Sequence, residues 1–207
     1  MHLYGHLSSG NAYKPWLLLK LLGRDFDHTP TGFWEETRMP EFRALNPNGK
    51  VPVLVDDDFV LWESNAILCY LAEGTPWLPR ADEAGGRTRA KVLQWLFFEQ
   101  YSHEPFVATM RAAMHFQPVG PERDAFVEGK RKGAEHALGV MEGQLAATPW
   151  LAGDAPTVAD LSLFAYTSTA EEGTLSLDGY PAIRAWLDRV RALPGFAPQP
   201  PFEDPRL

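Results

Sequence analysis

Cysteine is nearly absent from this chain, whose 207 residues include only Cys69. A single cysteine excludes an internal disulfide and a Cys-x-x-Cys redox pair, and it fits a reducing compartment. The six histidines form no His-x-x-x-His helix pattern, and there is no cysteine cluster, so we expect no metal. We expect the protein to be cytoplasmic.

Positive charge and long apolar runs are also scarce. Lys and Arg number 19 against 27 Asp and Glu, which gives a formal net charge of −8. Such a chain has no basic field for phosphate groups, so nucleic acid is not an expected partner. No run reaches the roughly 18 apolar residues of a membrane span, and residues 1–6 lack the basic and apolar parts of a signal peptide. We therefore expect no membrane partner.

The first 77 residues alternate strand and helix patterns, which predicts an α/β domain of βαβ-ββα order. Pro15 is expected only near the first turn of the first helix, because it has no N–H to donate. The predicted elements are a strand at 2–7, a helix ending at Gly23, an extended segment at 26–30, a short helix at 39–45, strands at 51–55 and 59–62 joined by an acidic turn, and a helix at 65–73.

The rest of the chain is predicted to be helical. Residues 78–86, which include Pro79 and a Gly-Gly pair, indicate a linker to an all-α domain at 87–207. Thr157 and Asp160 have the spacing of a capping box at the start of a helix. The predicted helices cover 87–115, 122–147, 158–170 and 181–193, followed by an irregular proline-rich tail.

Three motifs carry a resemblance to a known family. Residues 46–54 read NPNGKVPVL, residues 62–67 read WESNAI, and residues 155–161 read APTVADL. In order and spacing they resemble the signature motifs of cytosolic glutathione transferases, and the resemblance covers nearly the whole chain. It implies a thioredoxin-like domain that binds glutathione, and a helical domain that contributes the pocket for a hydrophobic electrophile.

The resemblance also implies particular contacts. In the family the proline that matches Pro52 is cis, and the main chain that matches Val51 pairs with the cysteinyl part of glutathione like an added strand. Family members form homodimers in which the first domain of one chain packs on the second domain of the other. A homodimer is therefore expected.

Glu63 and Ser64 stand where a strand turns into a helix. Ser64 can offer its hydroxyl and a free N–H to the α-carboxylate of glutathione, and Glu63 can meet the ammonium group. The alternative is that the pair only caps the helix. Lys50 and Arg38 are candidates for the glycyl carboxylate, with solvated surface charge as the alternative.

The turn before the first long helix is the candidate thiol site. A thiolate needs hydrogen-bond donors or positive potential, and residues 9–14 resemble the serine- and threonine-type bacterial transferases. On that alignment Ser9 is the hydroxyl donor and Asn11 the amide donor. Ser8 competes with Ser9, and a plain turn is the alternative to both. Tyr4 lies too early for the tyrosine-type classes.

Further candidates lie on the first long helix of the second domain. Arg111 and His115, one turn apart, can add positive potential near the thiolate, and an exposed ion pair is the alternative. Hydrophobic side chains at helical spacing are candidates for the electrophile pocket or for the core: Tyr101, Phe106, Met110, Met114 and Phe116.

Three functions are consistent with these residues. The first is conjugation of glutathione to a hydrophobic electrophile. The second is a glutathione-dependent disulfide or peroxide reductase of the same fold. The third is a binding module of this fold without catalysis. The turn at residues 8–13 contains no cysteine, which argues against glutaredoxin-like and omega-type chemistry.

Overall fold

The computed structural model describes residues 1–81 and 86–204. Its contacts divide the chain into two compact units. The first contains Met1–Glu73 and the chain from Leu193 onwards, and the second is Gly74–Ala192. These units differ from the predicted ranges in two places, because residues 74–77 belong to the helical unit and the C-terminal tail belongs to the first one.

The first unit contains a four-stranded mixed sheet of order β2-β1-β3-β4. The strands are β1 (His2–Tyr4), β2 (Asp27–Thr29), β3 (Val53–Asp56) and β4 (Phe59–Trp62). β1 runs parallel to β2 and antiparallel to β3, and β3 and β4 form the predicted hairpin. The central strands carry fully buried Leu3 and Leu54.

Three helices and a short 3-10 turn complete this unit: α1 (Gly10–Leu21), the turn Glu36–Arg38, α2 (Pro40–Leu45) and α3 (Ser64–Ala72). α1 and α3 pack against each other and bury leucines such as Leu17 and Leu68 completely. The order βαβ-ββα is confirmed.

The start of α1 differs from the prediction. Pro15 lies inside the helix, which already begins at Gly10. Proline disfavours helical geometry in the residue before it, yet Lys14 is helical and fully buried. Its ammonium donates a hydrogen bond to Asn11 in the first turn of the same helix.

The C-terminal tail packs on the same unit through hydrogen bonds to the region between β1 and the second turn of α1. The Tyr13 hydroxyl donates to the carbonyl of Ala197 at 2.7 Å, and the Gln199 amide donates to the carbonyl of Leu7 at 2.8 Å. The tail has no helix or strand up to residue 204, as predicted, but it is held in place by these bonds.

The second unit is helical. Its helices are α4 (Gly86–Phe98), α5 (Glu104–Phe116), α6 (Pro121–Ala147), α7 (Val158–Thr167) and α8 (Pro181–Arg191), with a 3-10 turn at Ala170–Gly173. The predicted linker differs in part: Leu78 is fully buried, and Val158 donates its N–H to the carbonyl of Trp77. Residues 82–85 of that linker lie outside the described residues.

The single long helix predicted at 87–115 is divided. A π-helical segment, Glu99–His103, separates α4 from α5. Pro105 follows directly and has no N–H to donate to the carbonyl four residues earlier, so the regular helical ladder cannot continue through it. Among the described helices, none is long and apolar enough to cross a membrane.

The capping box of α7 is confirmed. The Thr157 hydroxyl and the Asp160 carboxylate both satisfy backbone N–H groups at the helix start. Asp160 is fully buried and also accepts hydrogen bonds from the Leu151 N–H and from the Trp186 indole, each at 3.0 Å. The carboxylate therefore ties α7 to the preceding loop and to α8.

Candidate functional site

Gly5 is the point where three segments of the first unit meet. A Cβ added there would lie 2.8 Å from the Cβ of Ala12, 3.4 Å from that of Val51 and 3.6 Å from the Cα of Pro52. Its φ of 152° also suits glycine. The end of β1, the start of α1 and the Val-Pro loop are thus packed closely enough for one peptide ligand to touch all of them.

Asn11 links the first turn of α1 to the first residue of α3. Its carboxamide oxygen accepts a hydrogen bond from the Lys14 ammonium at 2.7 Å and one from the Ser64 hydroxyl at 3.1 Å. Two donors on one atom identify that atom as the oxygen and so fix the orientation of the amide. The structure thereby brings together two of the predicted site residues, Asn11 and Ser64.

The two candidate hydroxyl donors have different surroundings. Ser8 is 4% exposed; its hydroxyl donates to the carbonyl of Glu203 at 2.7 Å and accepts from the Glu203 N–H at 3.0 Å. Ser9 is half-buried and is the N-cap residue of α1, without a side-chain capping bond. Of these two serines, it is Ser8 whose hydroxyl bonds to the described part of the tail.

The Val51-Pro52 peptide bond is cis. Val51 precedes β3, whose first residue, Val53, already pairs with Tyr4 and Trp62. The main chain of Val51 therefore lies just outside the sheet ladder, where an extended ligand can add to it. On the other side of this loop, Asn46 donates its amide to the carbonyl of Lys50 at 2.7 Å.

Glu63 is the N-cap residue of α3 and is exposed. Its φ of 74° is unusual for a residue other than glycine, and such strain concentrates at functional sites. Ser64, 4% exposed, directs its hydroxyl proton to Asn11. Its N–H is in the first turn of α3, where backbone donors have no intrahelical acceptor, and this N–H is the donor suited to a carboxylate.

The remaining predicted residues lie in different settings. Lys50 and Arg38 are exposed in the first unit. In the second unit the Arg111 guanidinium and the His115 ring each lie 2.7 Å from the same carboxylate oxygen of Glu172. The positive potential predicted for this pair is thus offset locally by a carboxylate.

The side chains that are candidates for an electrophile pocket differ in their exposure to solvent. Tyr101 is 85% exposed, Met110 is fully buried in the helical core, and Phe106, Met114 and Phe116 are half-buried. Cys69, the single cysteine, is half-buried on α3. Over the described part of the chain, no group of three or more His, Cys, Asp or Glu residues is arranged to hold a metal ion.

Sequence reasoning missed Lys14 and Gly5. Lys14 is fully buried beside Asn11, a placement that no sequence pattern indicates, since lysine is almost always exposed. Gly5 follows the first strand without an obvious turn partner. The one feature of the sequence that could have pointed to Gly5 is its position shortly before the Ser-Gly-Asn turn at residues 9–11.

Comparison with known proteins identifies the family to which the chain belongs. Residues 1–73 match the family model described as glutathione S-transferase, N-terminal domain, and residues 96–194 match the C-terminal domain of the same family. Glutathione S-transferase 3 of Zea mays is 33% identical over 95% of this chain and 91% of its own length. The chain belongs to the glutathione S-transferase family.

Other members of this family agree in fold and differ in named activity. A crystal structure of a glutathione S-transferase from Xanthobacter autotrophicus has a TM-score of 0.90 and 47% identity, covering 97% of both chains. A theta class glutathione S-transferase from Xanthomonas axonopodis, with glutathione bound, has a TM-score of 0.82 and 27% identity over 94% of this chain and 93% of its own. The disulfide-bond oxidoreductase YfcG of Escherichia coli is 30% identical over 75% of this chain and 73% of its own length.

Proposed function

We propose that this glutathione S-transferase family member binds glutathione in its first unit, stabilises the thiolate, and conjugates it to a hydrophobic electrophile. The observation that carries the proposal is the fixed carboxamide of Asn11. With its oxygen held by Lys14 and Ser64, the amide must present its NH₂ group in the opposite direction. A fixed donor stabilises a thiolate without reorganisation, which is how enzymes stabilise anions efficiently.

Ser9 is proposed as the hydroxyl donor to the thiolate. Ser8 is the less suitable residue, because its hydroxyl already donates to and accepts from the main chain of Glu203. Ser9 stands at the N-cap of α1, where the helix dipole adds positive potential. The hydroxyl, the amide of Asn11 and this helix terminus supply three sources of anion stabilisation within three residues.

The ends of glutathione are assigned to neighbouring segments. The α-carboxylate is proposed to bind the N–H of Ser64, with Glu63 near the ammonium group, and the cysteinyl main chain to pair with Val51 beside Pro52. Support comes from Gly5, where an added Cβ would come within van der Waals distance of Val51 and Pro52. Lys50 and Arg38 are proposed for the glycyl carboxylate, on the basis of their charge and exposure.

The test measures turnover of glutathione with a generic aromatic halide as a function of pH. Wild type is compared with Ser9→Ala and Asn11→Ala, and Ser8→Ala is the matched control for loss of a neighbouring hydroxyl. We expect the apparent pKa of the thiol to lie below its free value of about 8.5 and to rise in the first two variants only. Absence of both glutathione binding and turnover in wild type would contradict the proposal and leave a binding module.

Disulfide reduction is the second candidate function, favoured by the similarity to YfcG, which is named a disulfide-bond oxidoreductase. It needs the same thiolate, which attacks a disulfide sulfur instead of an electrophilic carbon, forming a mixed disulfide and releasing one thiol of the substrate. A second glutathione then attacks the mixed disulfide, releasing the other thiol and leaving glutathione disulfide. Turnover with a small disulfide is therefore measured in parallel with the aromatic halide. The acceptor with the higher kcat/KM identifies the reaction class.

A homodimer is proposed as the working assembly. Exposed hydrophobic side chains support it in both units: Phe59, Val60, Trp62 and Tyr70 in the first, and Leu93, Phe97 and Tyr101 in the second. Phe97 is 72% exposed, and clusters of large exposed apolar groups mark interaction sites. Light scattering on wild type and on Phe97→Ser tests the proposal; a monomeric wild type at micromolar concentration would contradict it.

A further inference from the structure

We propose that Lys14 is a positioning residue of the thiolate site, and that its ammonium group sets the direction and donor strength of the Asn11 amide. The inference rests on the proposed function, since it concerns the same bound thiol. It assigns a role to a residue that lies in the 9–14 stretch but is not among the predicted site residues.

The first argument is burial. Lys14 is 0% exposed, whereas lysine is almost never fully buried without polar partners, because removing an ammonium group from water is costly. Its Nζ lies 2.7 Å from the Asn11 Oδ1, the short distance typical of a charge-assisted hydrogen bond. The buried ammonium thus donates directly to the carboxamide of the predicted amide donor.

The second argument is the chemistry of an amide. Donation from an ammonium to the carbonyl oxygen draws electron density from the amide, so its NH₂ group becomes a stronger donor, as in other hydrogen-bond chains. The same bond prevents the amide from rotating to present its oxygen, which would repel a thiolate. The Ser64 hydroxyl, 3.1 Å from the same oxygen, assists from α3 but is uncharged.

The third argument is distance. Across one amide, the ammonium lies about 6 Å from an anion bound to the NH₂ group, a range in which an opposite charge lowers an acid's pKa by about 1 to 3 units. Among the described residues, the ionisable groups near this turn include His6, whose ring accepts the Ser8 N–H, Glu63 beside Ser64, and the exposed Glu203, whose main chain bonds to Ser8. Glu63 is exposed and His6 is half-buried, so the fully buried cation beside Asn11 is Lys14.

The test measures the thiolate absorbance of enzyme-bound glutathione against pH in Lys14→Met, Lys14→Arg and Lys14→Gln. Lys20→Met is the matched control, since Lys20 lies on the same helix, is exposed, and stacks on Trp16 and Phe26 away from Asn11. We expect Lys14→Met to raise the apparent pKa of the bound thiol by about one unit, which is a tenfold decrease in the ratio of thiolate to thiol. Arginine should restore most of the loss, and glutamine, which donates without charge, should restore less.

A double variant distinguishes an effect of Lys14 that passes through the Asn11 amide from a general loss of structure. In the Asn11→Ala background, Lys14→Met should change the thiolate fraction far less than in wild type, because its effect passes through the missing amide. Equal effects in both backgrounds, or a wild-type thiolate fraction in Lys14→Met, would overturn the inference. If the methionine variant does not fold, a wild-type thiolate fraction in Lys14→Gln overturns it instead.

Different results would contradict the proposed function and the role of Lys14. Wild type that binds no glutathione, or binds it with an unshifted thiol, contradicts the proposed function itself. Wild type that ionises the bound thiol while the Lys14 variants do the same contradicts only the role of Lys14.

Discussion

The Ser8 hydroxyl and the main chain of Glu203 bind each other in both directions, with Oγ donating to the carbonyl at 2.7 Å and accepting from the N–H at 3.0 Å. The two residues are 195 positions apart, so this pair joins the N-terminal part of the first unit to the C-terminal tail that packs on it. The Ser8 hydroxyl therefore acts as both donor and acceptor toward the tail, whereas the sequence alone leaves it as a candidate donor to the thiol of glutathione.

Ser8→Ala is expected to loosen the tail without abolishing turnover. The variant leaves the carbonyl and the N–H of Glu203 without their protein partner, which costs about 1 kcal/mol of the free energy of unfolding. Urea unfolding measures this, with Ser176→Ala as a control for loss of an exposed serine. A stable Ser8→Ala protein that has lost turnover would instead make Ser8, and not Ser9, the donor to the thiolate.

Gly5→Ala is expected to displace the loops of the site. The new Cβ would lie 2.8 Å from the Ala12 Cβ, on a backbone with φ of 152°, and over-packing of this kind costs roughly 1 to 3 kcal/mol. We expect weaker retention on immobilised glutathione together with a lower Tm. Gly139→Ala is the matched control, because a Cβ there meets nothing within 4 Å; equal losses in both variants would contradict a special role for Gly5.

The sequence predicts best those features whose determinants are neighbours in the chain. The capping box of Thr157 and Asp160 follows from a three-residue spacing, and the β3–β4 hairpin from two apolar runs around an acidic turn; both are confirmed. Ser9, Asn11 and Ser64 are named by motifs, but their roles stay predictions. A local determinant with a recognisable sequence signature can therefore be predicted from the amino-acid sequence alone.

Some missed features depend on residues far apart in the chain: the tail packs on the first unit because Ser8 and Tyr13 bond to Glu203 and Ala197. Lys14 bonds to Asn11 within its own helix, but its complete burial belongs to the packed unit and is indicated by no local pattern. The π-helical segment before Pro105 differs from these features in the origin of its structure. Its cause is local, but a helical apolar pattern continues across it and conceals the break.

Asp160→Asn is expected to destabilise the helical unit. The carboxylate accepts hydrogen bonds from Leu151, Thr157 and Trp186, and the asparagine NH₂ would face one of these donors. A buried donor left unsatisfied costs about 1 to 3 kcal/mol. Asp154→Asn, at an exposed aspartate in the preceding loop, is the control, and comparable stability of the two variants would argue against this account.

The pH dependence of the same residue has a definite sign. Burial raises the pKa of Asp160 above its usual value of 3.8, against the lowering effect of its four hydrogen bonds. Between pH 3.8 and the folded pKa the folded chain therefore holds a proton that the unfolded chain has released. This contribution to stability is complete below pH 3.8 and is lost as the pH rises through the folded pKa. The stability difference between wild type and Asp160→Asn should shrink over that interval; a growing difference would show the opposite shift.

Glu142 on α6 serves as the cap of another helix, α8. Its two carboxylate oxygens each accept a backbone N–H at 2.9 Å, one from Ala182 and one from Ile183. The helix begins at Pro181, which has no N–H, so these are the first backbone donors of α8, and a charge at this end also complements the helix dipole. The contact joins two helices that are distant in sequence.

Glu142→Gln is therefore expected to cost about 1 to 2 kcal/mol, because the amide can accept only one of the two N–H groups and presents its own NH₂ to the other. Glu135→Gln is the matched control on the same helix, where the side chain is exposed. Burial, Glu135 and Glu142 together raise the pKa of Tyr180, so both variants should lower it, whereas only Glu142→Gln should lower the midpoint of urea unfolding. Equal midpoints in the two variants would mean that the capping bonds contribute nothing beyond the charge that both glutamates share.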